Sequence, residues 1–182
     1  MPSRKKAMVM KTSSATHPTI LALDTGGDAG WAFGQLGAAP PLCGTWPLRI
    51  KGDSLGQVMA TTMETVWQAI QHHKPDIVTY EQIMPAALKN SAANISHVSI
   101  AAIVHLACFR AGIEPEIRHL SSIRRRIIRR TRPDKGKNIK DYVIAEVVKR
   151  GCQPDSHNAA DACALWYYEE SQQLLKIAGY RR

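Results

Sequence analysis

The feature that most constrains this chain is a short apolar run, Ile20-Leu21-Ala22-Leu23, that stops on Asp24 and passes at once into Gly26-Gly27-Asp28. Four consecutive apolar residues bounded by turn formers read as a buried strand. Gly30-Trp31-Ala32-Phe33 follows immediately, so the two runs are expected to pair as a hairpin. A third strand is expected between residues 42 and 50, where Pro47 confines it to a sheet edge or a strand end because proline donates no ladder hydrogen bond.

Beyond that meander the period changes from two to helical. Leu55, Val58, Met59, Met63, Val66, Trp67 and Ile70 recur on one helical face, with Asp53 or Ser54 placed to cap the first turn and an end near His73. Asp76-Ile77-Val78-Thr79-Tyr80-Glu81 then fits a central strand that ends on an acid. Residues 95–111, small and apolar almost throughout and closed by Gly112, predict a buried helix, and residues 116–120 predict another strand. Val143, Ile144, Val147 and Val148 share one face of a helix over 141–150, and residues 159–177 predict a C-terminal helix. Three strands, then helix, strand, helix, strand and two helices describe an α/β fold: a mixed five-stranded sheet flanked by helices.

Bulk properties narrow the partners. With 182 residues and 45% apolar content, the chain can bury one ordinary core, so residues 19–182 are expected to form a single domain behind a flexible basic tail over 1–18, which carries Arg4, Lys5, Lys6 and Lys11. Lys and Arg number 24 against 15 Asp and Glu, a formal charge of +9 that favours a polyanionic partner. No stretch approaches the roughly 20 apolar residues needed to cross a bilayer, and no secretory signal leads the chain. A cytoplasmic location with no membrane partner is the resulting expectation. Cys43, Cys108, Cys152 and Cys163 form no C-x-x-C pair, which points to reduced, mostly buried thiols rather than a zinc knuckle or a disulfide framework.

An apolar strand, an Asp, a Gly-rich turn and a second strand open both the RNase H-like nucleases and the actin-like ATPases. Three fragments distinguish them. Ile20-Leu21-Ala22-Leu23-Asp24-Thr25-Gly26 with Gly30-Trp31-Ala32, then Val78-Thr79-Tyr80-Glu81, then Asn158-Ala159-Ala160-Asp161-Ala162-Cys163-Ala164-Leu165 resemble, in order, the RuvC family of Holliday junction resolvases, and phage-type divergent members above all. Gly136-Lys137-Asn138-Ile139-Lys140 is similar to that family's basic approach to its fourth helix. The likeness spans about residues 19–168.

This resemblance implies an RNase H-like fold in which Asp24, Glu81 and Asp161 converge as catalytic and metal-binding residues. Phosphodiester hydrolysis needs in-line attack by water on an anionic centre, and two divalent ions about 4 Å apart can stabilise both entering and leaving oxygens. Carboxylates suit Mg²⁺, which prefers oxygen ligands. The implied activity is a crossover junction endodeoxyribonuclease that cuts branched DNA with two Mg²⁺ or Mn²⁺ ions per site and leaves 5′-phosphate ends. The sequence departs from the family at its fourth ligand, where this chain reads Asp155-Ser156-His157-Asn158. His157 and Asn158 lie four and three residues before Asp161 and can share its helical face. His157 is the favoured fourth ligand, with Asp155 in reserve; a neutral imidazole there weakens Mg²⁺ and tilts preference toward Mn²⁺.

Each acid also has a blander role open to it. Asp24 before two glycines is a normal turn residue, and Glu81 fits a solvated strand end. Asp161 within an alanine-rich helix is harder to explain without a cation, because an unpaired buried carboxylate is costly.

Arg124, Arg125, Arg126, Arg129, Arg130, Arg132, Lys135, Lys137 and Lys140 place nine cations against the single acid Asp134 in residues 124–140. Such a run is either a solvated face or a phosphate-contacting surface; DNA contact is expected, positioning the backbone without reading sequence. Met84 and Leu88, just past Glu81, could wedge against bases or serve as core contacts. A four-way junction presents two equivalent strands, so a homodimer is implied, with the 95–111 helix as its seam or as the domain's own central helix. Rival assignments are a kinase of the actin-like class, which requires about twice this length, a noncatalytic branched-DNA-binding module, and an RNA-processing nuclease of the same fold.

Overall fold

In the computed structural model, which describes residues 17–83, 92–130, 132–136 and 138–180, the expected hairpin opens the domain. Strands β1 (Thr19–Asp24) and β2 (Asp28–Gln35) pair antiparallel, and β3 (Leu42–Pro47) adds to β2 as an edge strand ending on its proline. Helix α1 (Leu55–His73) follows. Its capping box closes at the start, with the Ser54 hydroxyl accepting from the Gln57 amide and the Gln57 side chain accepting from the Ser54 amide.

Strand β4 (Ile77–Glu81) runs parallel to β1, and β5 (Glu116–Arg118) runs parallel to β4. The sheet order is therefore β3-β2-β1-β4-β5, with β1 in the centre. Helix α2 (Ala92–Arg110) links β4 to β5, and Gly112 at its end takes a left-handed φ of 73°.

The stretch after β5 differs from expectation. Three helices follow it rather than two: α3 (Leu120–Ile128), α4 (Ile139–Lys149) and α5 (His157–Ile177). Leu120 starts α3, so β5 ends earlier than the predicted 116–120 strand. The physical reason is amphipathicity hidden beneath charge: Ile123 and Ile127 are buried four residues apart while arginines fill the positions between them. Helix α5 begins two residues before the predicted 159 because the Ser156 hydroxyl accepts from the Ala159 amide.

Alternation along the strands divides the core in two. Leu21, Leu23, Val78 and Tyr80 point toward α1 and α2, joining Val66, Ile70, Val104 and Cys108. Ile20 and Ala22 point the other way, onto α5 with Ala160, Cys163, Ala164 and Trp166, flanked by Ile123 of α3 and Val147 of α4. Close approach of α5 depends on small residues: a Cβ on Gly30 of β2 would stand 1.9 Å from the Asn158 carbonyl oxygen. Trp166 fastens the same helix by donating to the Ile20 carbonyl at 3.2 Å. A fully buried carboxylate, Glu169, ties α5 to β5 through Arg118 at 2.7 and 3.1 Å. The N-terminal residues 1–16, together with Met84, Leu88 and Lys137, lie outside the described residues.

Candidate active site

Strand parity delivers two acids to one place. Leu23 of β1 stands beside Tyr80 of the parallel β4, so Asp24 and Glu81, one step further on each strand, leave adjacent strands at the same end. Both share the parity of the α5-facing residues, Asp24 with Ile20 and Ala22, and Glu81 with Ile77. The carboxyl ends of parallel strands are where open α/β sheets bind ligands. Asp161, in the first turns of α5 above this edge, completes the group: Asp24, Glu81 and Asp161 line one narrow cleft together with Leu120, Ile123 and Arg124 of α3.

The electrostatics of that cleft are those of buried acids only partly offset by nearby cations. Burial, reinforced by the charge on Asp161, lifts the Asp24 carboxyl from 3.8 to about 7, against the opposing pull of Lys140 and Arg124. Glu81 also rises to about 7, through burial first and then repulsion from Asp24 and Asp161. Asp161 is raised by burial, with Lys140, Arg124 and His157 each favouring its ionised form. Two further polar atoms are buried with no hydrogen-bond partner among the described residues, the Thr25 hydroxyl next to Asp24 and the Arg124 Nε. Orphaned buried polar atoms of this kind are uncommon and mark sites completed by a missing group.

The donor set fits a hard divalent cation: oxygen ligands, partial burial and mutual repulsion that added positive charge would relieve. No three His, Cys, Asp or Glu side chains among the described residues stand close enough to ligate one ion jointly. Mg²⁺ does not require that, since it is commonly held by one or two carboxylates with water filling the remaining positions.

The three possibilities for the fourth ligand separate clearly. Asn158 donates its side-chain amide to the Asp28 carbonyl at 2.5 Å, and Asp155 accepts from the Thr45 hydroxyl at 2.8 Å, so both hold the start of α5 to the β2–β3 ribbon. His157 is exposed at the start of α5 and electrostatically coupled to Asp161.

The basic segment also divides. Arg124 turns into the carboxylate cleft, and Lys140 in the first turn of α4 acts on Asp24 and Asp161. Arg125, Arg126, Arg129, Arg132 and Lys135 are exposed. Arg130 is engaged with Asp134 at 3.0 Å and lies over the Tyr142 ring at 4.3 Å. Sequence reasoning grouped Arg124 and Lys140 with the surface cations. The helical spacing of Leu120, Ile123 and Ile127 was the signal that could have turned Arg124 inward.

No protein-family profile matches the sequence, and no curated protein matches it. Solved structures do match. A Thermus thermophilus RuvC in complex with Holliday junction substrate is 13% identical with a TM-score of 0.66, over 87% of this chain and 96% of that one. A second T. thermophilus RuvC structure is 14% identical with a TM-score of 0.61, over 88% and 96%. The yeast mitochondrial Holliday junction resolvase Ydc2 is 10% identical with a TM-score of 0.54, over 87% and 82%. With a five-stranded mixed sheet, β1 at its centre and an acid-bearing helix closing its carboxyl edge, the chain has the RNase H-like fold of the RuvC-type resolvases.

Proposed function

We propose that this protein is a metal-dependent endonuclease that cleaves Holliday junctions and related branched DNA. The observation that carries the proposal is the meeting of Asp24, Glu81 and Asp161 in one cleft at the carboxyl edge of the sheet, with Arg124 among them. Support comes from the shared fold with RuvC and Ydc2.

Asp24, Glu81 and Asp161 would hold the divalent ions, Mg²⁺ or Mn²⁺, with His157 as the fourth group. Bound there, such ions supply the positive charge that activates water and stabilises the departing 3′ oxygen of a phosphodiester. Arg124 and Lys140 favour the ionised forms of Asp24 and Asp161 against the effect of burial and would offer charge to the scissile phosphate. Exposed Arg125, Arg129, Arg132 and Lys135 would contact backbone phosphates on either side and set the register of the duplex arms.

A homodimer would place two such clefts on the two equivalent strands of a junction. Helix α2 suits the seam: Ile100, Val104, Ala107 and Cys108 are buried within the domain, while Ile95 (53% exposed), Val98, Leu106 and Phe109 (75%) form an apolar stripe on its outer side.

A synthetic four-way junction with Mg²⁺ or Mn²⁺ tests the reading. Paired nicks with 5′-phosphate ends are expected. Tight junction binding without nicking in either metal would favour the noncatalytic module, and preferential cutting of structured RNA would favour RNA processing.

A further inference from the structure

Polar contacts fasten helix α5 and its cap to the sheet on two sides, and each side carries a different acid. Toward Asp24 the ties reach the first three strands. Trp166 donates to the Ile20 carbonyl of β1, Asn158 donates to the Asp28 carbonyl of β2, and Asp155 and Ser156, just before α5, meet the Thr45 hydroxyl of β3. Toward Glu81 the tie is an ion pair between Arg118 of β5 and Glu169 of α5.

That pair stands beside Glu81. Glu81 and Arg118 are register partners on the parallel strands β4 and β5, so their side chains leave the same face of the sheet, toward α5. Glu81 enters the cleft that holds Asp161. Arg118 reaches α5 about two turns beyond Asp161 and closes a fork on Glu169, donating from Nε to Oε2 at 2.7 Å and from Nη2 to Oε1 at 3.1 Å. Its carbonyl also accepts from the Gln82 amide at 2.8 Å, which pins the residue just after Glu81. Glu169 is fully buried and accepts a further hydrogen bond from Gln173, while Arg118 is bridged on its other side by Glu116.

Such a pair is a poor source of stability. Replacing a buried ion pair by apolar side chains of similar size is often neutral or stabilising, because desolvation offsets the Coulomb attraction. What a planar fork supplies, and an apolar contact does not, is fixed direction and spacing. Metal-binding carboxylates need both, since a working site has to be held to within about 0.5 Å. We propose that the Arg118–Glu169 fork is a positioning brace that sets the spacing of Glu81 and Asp161 and thereby the divalent-cation affinity of the cleft, an inference that rests on the proposed nuclease function.

The test is Mn²⁺ titration of the full-length, DNA-free protein by electron paramagnetic resonance, with denaturant midpoints measured on the same samples. Arg118→Met combined with Glu169→Leu removes the fork and keeps the bulk. This protein should unfold at a midpoint equal to or above wild type, yet bind Mn²⁺ about tenfold more weakly or worse, the scale of losing a group that orients a metal ligand. Arg118→Lys keeps the buried charges and loses the fork; it should weaken Mn²⁺ binding too, and it carries the test should the apolar pair fail to fold. In a Glu81→Gln background the same changes should have no further effect, because the brace acts through Glu81, whereas a merely structural role would lower affinity in both backgrounds. Wild-type Mn²⁺ affinity in the braceless proteins, or an equal loss with Glu81→Gln, would overturn the brace and leave the nuclease reading standing. A wild type that binds no Mn²⁺ would overturn that reading and the brace together.

Discussion

The two faces of the sheet are built to opposite rules. Toward α1 and α2 the strands offer bulky Leu21, Leu23, Val78 and Tyr80, and the helices answer with Val66, Ile70 and Val104, an ordinary aliphatic core. Toward α5, beside Ile20, Leu165 and Trp166, the contact is made by Ala22, Ala32, Ala160, Cys163 and Ala164, with Gly30 directly under the helix backbone. Bulk on the first face supplies burial. Smallness on the second allows α5 to come close enough to hold Asp161 over the ends of β1 and β4. The face carrying the acids is thus the one where helix backbone lies directly over a strand glycine and electrostatics are least satisfied, so perturbing each face should have a different signature.

The largest effects are expected from the packing itself. Ile70→Ala on the α1 side should lower stability by about 2–5 kcal/mol, as a buried large-to-small change, while leaving nicking per folded molecule intact. Gly30→Ala on the α5 side should cost about 1–3 kcal/mol by overpacking. It should also reduce nicking, because the added Cβ meets backbone that carries the active-site helix. Chemical denaturation paired with junction cleavage separates the two. Equal loss of specific activity in both variants would erase the distinction between the faces.

Next comes Asp24→Asn, which should cut nicking at least about 100-fold, the scale of losing a group that acts on developing charge. Junction binding should be retained or tightened. In metal-free buffer at pH 8 the same change should stabilise the fold by on the order of 2 kcal/mol, since it removes a buried carboxylate whose ionisation is resisted. Calorimetry with and without metal checks the sign.

The pH dependence follows from the same shifts. Asp24 and Glu81 bind protons more tightly folded than unfolded, so the metal-free protein should be most stable below about pH 4 as far as these groups are concerned. It should lose that contribution as pH rises through about 7. Asp24→Asn should flatten the slope between pH 5 and 8, measured by denaturant midpoints. An unaltered slope would show that Asp24 does not carry the shift.

The smallest effects lie on the exposed cations. Arg125→Ala combined with Arg129→Ala should weaken junction binding and reduce the salt dependence by about 0.9 per lost phosphate contact. Arg130→Ala should do less, because its charge is already engaged by Asp134.

Much of this was legible in sequence because periodicity reports packing. The β1–β2–β3 meander, α1 and β4 follow from alternation and helical spacing, whereas the acids at 24, 81 and 161 were singled out as a set through the likeness to the RuvC family. Helix α3 stayed hidden, since its buried isoleucines are outnumbered by arginines and composition masked their spacing. With α3 unseen, the helical spacing of Leu120, Ile123 and Ile127 that turns Arg124 inward and leaves Arg125 and Arg126 exposed went unused. Asp155 and Asn158 were equally opaque: an acid or amide at a helix start is compatible with ligation, and only their hydrogen bonds to Thr45 and Asp28 reveal an anchoring role.

The central claim is that three carboxylates from distant parts of the chain line one cleft that binds divalent cations. Titrating Mn²⁺ into the DNA-free protein, with binding followed by electron paramagnetic resonance, tests it most directly. Asp24→Asn, Glu81→Gln and Asp161→Asn should each weaken Mn²⁺ affinity by about tenfold or more, the scale associated with losing a group that supports a metal site. Affinity equal to wild type in all three variants would contradict the account.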